Sequence, residues 1–273
     1  LGSADEDSKK ISGHIIKFLE NEVKEGRLPK NLLPLQSGVG SVANAVLGGL
    51  LDSDFEDLTC YTEVIQDSMF DLIDAGKVKM ASGTSFTPSE EGLVRLNKNM
   101  DHYAKHCVLR PMEISNHPEV ARRLGVIAMN TAIEFDIYGH VNSTNIMGSR
   151  MMNGLGGSGD FTRNAYISMF TTVSTAKNGD ISSIVPFVSH VDHTEHDVEV
   201  FVTEQGLADV RGLSPRERAR TIIENCAHPD YKEMLLDYLN RAEEGKYSHE
   251  PHLMDESHSW HHRFLLNGTM KKK

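Results

Sequence analysis

A short apolar run, a turn of small residues and a helical pattern follow one another in Asn31-Leu-Leu-Pro-Leu35, Gln36-Ser-Gly-Val-Gly-Ser41 and residues 42–51. The succession recurs down the chain. Strands are predicted over 58–65, 77–82, 107–113, 126–135, 182–191 and 198–203. Helices are predicted over 12–25, 66–75, 89–97, 118–124, 160–169, 214–226 and 230–244. Strands alternating with helices call for an α/β fold, one open and mostly parallel sheet with helices on both faces. Ligands in such a sheet bind beyond the carboxyl ends of strands. Val39, Glu63 and Gly157 fall at or just past such ends.

Composition excludes several function classes. At 39% hydrophobic and 25% charged over 273 residues, the chain can bury a sizeable core. A net charge of −11 argues against a nucleic-acid surface. No apolar run is long enough to span a bilayer. Cys60, Cys107 and Cys226 form no CxxC pair and lie in apolar stretches, so they read as buried free thiols in a reducing compartment. The first residues, Leu-Gly-Ser-Ala-Asp-Glu-Asp without Met, suggest a piece of a longer protein.

Against that frame Glu63 is out of place. It sits inside Leu58-Thr-Cys-Tyr-Thr-Glu-Val-Ile65, an otherwise apolar strand pattern, where a carboxylate costs desolvation energy unless it has partners or a task. Two glycine-rich turns, 36–41 and Gly154-Leu-Gly-Gly-Ser-Gly-Asp160, offer backbone N–H groups that can hold an anion or an oxyanion. A carboxylate nucleophile and such N–H groups fit acyl transfer through a mixed anhydride. Taken singly, each feature also reads as ordinary structure: a paired strand-end acid, or a tight turn. Glu204 ends a second apolar strand and Lys177 could meet a phosphate; each also reads as a plain surface group. His190, His193 and His196, interleaved with three carboxylates, suggest a metal-dependent hydrolase as an alternative, although the spacing is not HExxH.

Six segments in order then resemble one family: Leu35-Gln-Ser-Gly-Val-Gly40, Tyr61-Thr-Glu-Val-Ile-Gln-Asp67, Gly139-His-Val-Asn-Ser143, Asn153-Gly-Leu-Gly-Gly-Ser-Gly-Asp-Phe161, His190-Val-Asp-His-Thr-Glu-His196 and Val202-Thr-Glu-Gln-Gly-Leu-Ala-Asp-Val-Arg-Gly212. Together they resemble the acetyl-CoA hydrolase/transferase family, within the class I CoA-transferases of the succinyl-CoA:acetate type, over the C-terminal half of such enzymes. The resemblance implies the open α/β fold of the CoA-transferase (NagB/RpiA-like) superfamily. It implies a C-terminal catalytic domain, expected over 11–266; the residues themselves lead to the expectation of a linker over 1–10 and a frayed tail over 267–273. Glu63 is then the nucleophile that carries a glutamyl-CoA thioester. Val39 and Gly157 supply the oxyanion hole. Gly38, Gly40, Asn116, Gly156, Lys177 and Glu204 line the substrate and CoA site. CoA is a substrate, and no metal or other cofactor is implied. The expected partners are an acyl-CoA, a small carboxylate, the N-terminal half of the enzyme and further copies of it, in the cytoplasm or the mitochondrion. Hydrolysis of acyl-CoA by the same glutamate is the nearest alternative.

Overall fold

The computed structural model describes residues 6–244 and 248–272. Two compact units divide the chain: Leu1–Thr131 with Gly157–Met169, and Ala132–Gly156 with Phe170–Lys273. The segment 11–266 thus contains parts of both.

The first unit is the expected open sheet. Its strands lie in the order Cys107–Leu109, Val78–Gly83, Leu58–Tyr61, Leu35–Ser37, Ile127–Thr131 and Ile167–Thr171. The first five pair in parallel, with Leu35 opposite Cys60 on one side and Ile127 on the other. Parallel neighbours need crossover segments. Here these carry the helices Ser41–Gly49, Asp67–Asp74, Glu90–Lys98 and Pro118–Leu124. The chain runs outward from Leu35–Ser37 to one edge, then returns to its other side. The order reverses there, which places a crevice between the ends of Leu35–Ser37 and Ile127–Thr131. Leu35, Leu58, Ala81, Ile127 and Ala128 are fully buried in the sheet. The amphipathic helix Glu6–Lys24 buries Ile11, Ile15 and Leu19; it begins inside the stretch expected to be linker.

The second unit is built differently. Val200–Thr203 and Gly206–Asp209 form an antiparallel hairpin. Glu134–Asp136 lies between Ile184–Val185 and Val141–Asn142. Three helices, Pro215–Cys226, Pro229–Glu243 and Ser259–Asn267, belong to this unit. Its core is aromatic, with Phe135, Phe170, Phe201, Tyr231, Tyr238 and Trp260. Ser214 and Glu217 start the first of these helices with a reciprocal capping box.

Several expected elements are corrected. The strand predicted over 58–65 breaks in two, Leu58–Tyr61 and Val64–Ile65, and Glu63 occupies the bend between them. The bend is held by Thr62 N–H on Ser82 O at 2.9 Å, Thr62 Oγ1 on Ser37 O at 3.2 Å and Thr84 N–H on Glu63 O at 2.6 Å. The strand predicted over 107–113 stops at Leu109, because Pro111 has no N–H for a ladder and opens the short helix Met112–Ser115 instead. The helix predicted over 160–169 is only Ser158–Thr162, and Ile167-Ser-Met-Phe-Thr171 is a fully buried strand. A continuous apolar run is equally consistent with either, and burial on both faces selects the strand. The tail expected to fray over 267–273 is held at Met270 and Lys271. Met270 is fully buried and its N–H donates to Asp180 O at 2.8 Å, while Lys271 pairs with Asp230 at 2.6 Å. No described helix is long and apolar enough to cross a membrane.

Candidate active site

Glu63 is half-buried, just past the carboxyl end of Leu58–Tyr61. Its Oε2 accepts the backbone N–H of Gly157 at 2.9 Å, across 94 residues of sequence. Gly157 is the cap residue of Ser158–Thr162, with φ −85° and ψ 2°, a conformation open to any residue. Its glycine character answers a different need. A Cβ at this position would run into Glu63 Oε2 and Asn116 Nδ2. Three predicted site residues, Glu63, Gly157 and Asn116, therefore meet at one point. Asn116 caps Met112–Ser115, is 7% exposed, and keeps its Oδ1 buried without a hydrogen-bond partner. A buried acceptor left in that state costs about 1–3 kcal/mol.

The glycine turn after Leu35–Ser37 lies at the crevice. Gly38 N–H donates to Met129 O at 2.9 Å, and a Cβ there would press on Asn130 Oδ1 at 3.1 Å. The Gln36 and Asn130 amides exchange two hydrogen bonds, at 3.1 and 3.0 Å, and bind the two strands on either side of the crevice. Gln66 reaches back to Gly38 O at 2.9 Å, so the segment carrying Glu63 and the turn carrying Val39 are cross-braced. Gln66 belongs to the same motif as Glu63, yet nothing local signals this reach. Gly40, with φ 118°, opens the helix Ser41–Gly49. Val39 projects outward, 60% exposed, and no hydrogen bond among the described residues joins it to Glu63.

The remaining predicted residues lie in the second unit. Gly156 is exposed with φ +58°, the left-handed value that favours glycine. Lys177 is exposed at the tip of the hairpin Thr175–Ala176/Ile181–Ser182, with φ +52°. Glu204 grips the preceding loop: its carboxylate accepts Ser174 N–H at 2.7 Å, the Ser174 hydroxyl, and Gln205 Nε2 at 3.0 Å. Burial alone would raise its pKa; the Ser174 and Gln205 donors outweigh burial and hold it below the usual glutamate value. A depressed carboxylate stabilises the fold above its unfolded value, and that contribution is lost as pH falls through the folded one. Ser174→Ala should move the Glu204 titration upward toward the ordinary range, read by carboxyl-carbon NMR. An unmoved titration would mean that Ser174 is not what holds the charge.

Residues 92–239 match the acetyl-CoA hydrolase/transferase C-terminal domain. The chain belongs to the acetyl-CoA hydrolase/transferase family. A succinyl-CoA:acetate CoA-transferase of Clostridium kluyveri is 63% identical over 264 residues, 97% of this chain and 49% of that protein. An acetyl-CoA hydrolase of Candida glabrata is 55% identical over 276 residues, 98% of this chain and 52% of that protein. The structure of RipA from Yersinia pestis matches with a TM-score of 0.75 at 30% identity, over 88% of this chain and 54% of that one. The chain spans about half the length of the curated relatives it matches.

In this member of the acetyl-CoA hydrolase/transferase family the histidine-rich run does not assemble a metal centre from its three histidines. His193 is buried, stacks on Phe170 at 4.8 Å and bridges through its backbone to Val141. His190 turns to Asp192 at 3.3 Å, and Asp192 in turn accepts Ser143 N–H and Thr144 Oγ1, each at 2.8 Å. His196 points into solvent beside Glu195. The run is a polar brace for the loop at 143–144. Among the described residues, three ligand-type atoms converge only at Glu195, His249 and Glu250, and none of the three predicted histidines is among them. All three cysteines are free. Burial pushes Cys60 and Cys226 up to about 12, which keeps both as inert thiols.

Proposed function

We propose that this chain carries the nucleophile of a class I CoA-transferase, exchanging CoA between a short-chain acyl-CoA such as succinyl-CoA and a carboxylate such as acetate. One observation supports this above others: the Glu63 carboxylate rests on the Gly157 N–H at 2.9 Å, at the carboxyl end of a parallel strand. In the proposed sequence Glu63 Oε1 attacks the acyl-CoA carbonyl. The C–S bond breaks, leaving an acyl–glutamyl anhydride and CoA thiolate. The thiolate adds to the glutamyl carbonyl, and the first acid departs with the bridging oxygen. The product is a glutamyl-CoA thioester. A second carboxylate then runs both steps in reverse, so kinetics are ping-pong.

Gly157 has a definite task in this sequence. When thiolate adds to the glutamyl carbonyl, negative charge grows on the glutamyl oxygen, the atom that faces Gly157 N–H at rest. The donor is in place before the charge develops, the condition under which such bonds accelerate a reaction most. Asn116 Nδ2, packed against the same point as Glu63 Oε2, would help keep the reacting carboxylate in place. Val39 N–H would serve the acyl oxygen. The reading takes CoA as a substrate and needs no further cofactor. It also takes the enzyme to be a cytoplasmic homo-oligomer with reduced thiols.

Water reaching the same thioester would make the enzyme an acyl-CoA hydrolase, and relatives carry both names. Incubating the full-length protein with succinyl-CoA, with and without acetate, separates the two. Acetyl-CoA formed only with acetate, and little free CoA, is the expected result. Equal release of free CoA in both tubes would replace transfer by hydrolysis.

A further inference from the structure

A parallel sheet is ordinarily buried on both faces. In the first unit part of one face is open. A groove of about 410 Å³ runs over Thr59, Tyr61, Met80 and Ser82, bounded on one side by Ile114 and Leu124. Thr59 pairs with Met80 and Tyr61 with Ser82, so these four side chains form one patch of sheet. Met80, Ile114 and Leu124, all lining it, are 38%, 43% and 39% exposed, a concentration of apolar surface on which isolated domains meet partners.

The shape of the groove indicates what covers it. It extends from Pro34, just before the strand Leu35–Ser37, to Arg110, whose N–H bonds Gly83 O at the far end of Val78–Gly83. Along the strands that is about four residues, roughly 13 Å at 3.3 Å per residue, a span suited to about two turns of helix more than to a small acid. Among the described residues Arg110 is the one charged residue lining it, and its guanidinium donates to the Ser82 hydroxyl. A guanidinium at the end of an apolar groove favours a carboxylate opposite.

The matched domain is a C-terminal one, and the relatives are about twice as long as this chain. We infer that this groove is the seat of the N-terminal half of the full-length protein, occupied by a segment that is apolar toward the sheet and carries an acidic side chain for Arg110. The inference rests on membership of the family and is independent of the proposed chemistry.

Photo-cross-linking in the full-length protein tests it. The photoreactive residue p-benzoylphenylalanine replaces Met80, or in a second variant Leu124, and cross-linked peptides are mapped by mass spectrometry. The exposed position of Leu124 at the end of the helix Pro118–Leu124 keeps the test open if the Met80 variant folds poorly. Cross-links within one chain to peptides N-terminal to residue 1 are expected. Cross-links that double the mass by joining two copies would overturn the inference, as would a folded protein with no cross-link to the N-terminal half from either position.

Discussion

Glu63→Ala in the full-length protein should lower CoA exchange by at least about a thousandfold, the usual scale for losing a covalent nucleophile. Its fold should stay intact. Glu63 is half-buried and its removal frees one backbone donor, Gly157 N–H, at a cost of about 1 kcal/mol. Stability and activity therefore separate, which distinguishes loss of a reacting group from loss of structure. Neighbouring groups offer no substitute. Asn116 is an amide, and Cys60, though close in sequence, is buried with its thiol pushed up to about 12. Mass spectrometry of the peptide containing position 63 after incubation with acyl-CoA gives a second readout. The parent protein should show a CoA adduct there, and the alanine variant none. A variant that keeps more than about a thousandth of parent turnover would remove Glu63 from the chemistry.

How far the sequence reveals this arrangement varies by element. Glu63 is legible because a lone carboxylate in an apolar run violates the period-2 pattern. The pattern could not show that Thr62 and Glu63 break the strand, because the break depends on Ser37, Ser82 and Thr84 from two other segments. The alternation of strands and helices foretells the parallel sheet, since crossovers of that length leave few other solutions. It does not foretell the reversal between Leu35–Ser37 and Ile127–Thr131. The Gln36–Asn130 pair, which spans that reversal, is therefore invisible in the residues themselves. The stretch 160–169 fails for a related reason. Ile167-Ser-Met-Phe-Thr171 is buried throughout, and a segment without a polar face carries no period to read. The histidine run misled in the opposite direction. Its residues are those of a metal centre, but His193 bridges to Val141 and goes into the core, and the turn that follows carries His196 out to solvent. The resemblance placed Gly157 and Asn116 beside Glu63, and the geometry supplies a physical reason for a glycine at 157 that the motif alone does not contain.

That reason makes Gly157→Ala the more discriminating substitution. Glycines in such turns are usually explained by a positive φ, and Gly156 at +58° fits that account. Gly157 does not: at φ −85° and ψ 2° an alanine is conformationally acceptable and keeps its N–H. The change adds one methyl group between Glu63 Oε2 and Asn116 Nδ2, both of which it would strike. Either the carboxylate or the amide must move, and a displacement on the order of 1 Å at a reacting group costs about a hundredfold in rate. Losing the oxyanion contact as well adds a comparable factor. Gly157→Ala should thus lower kcat by about 10²–10⁴-fold, with a much smaller change in KM for acyl-CoA and little change in unfolding midpoint. Gly156→Ala should behave the other way, losing about 1–2 kcal/mol of stability to left-handed strain while its effect on kcat stays smaller than that of Gly157→Ala. The two variants, one residue apart, separate a glycine required for space from one required for backbone conformation. Unchanged turnover in Gly157→Ala would show that Glu63 can react without that close contact, and the Gly157 N–H would then have no place in the proposed mechanism.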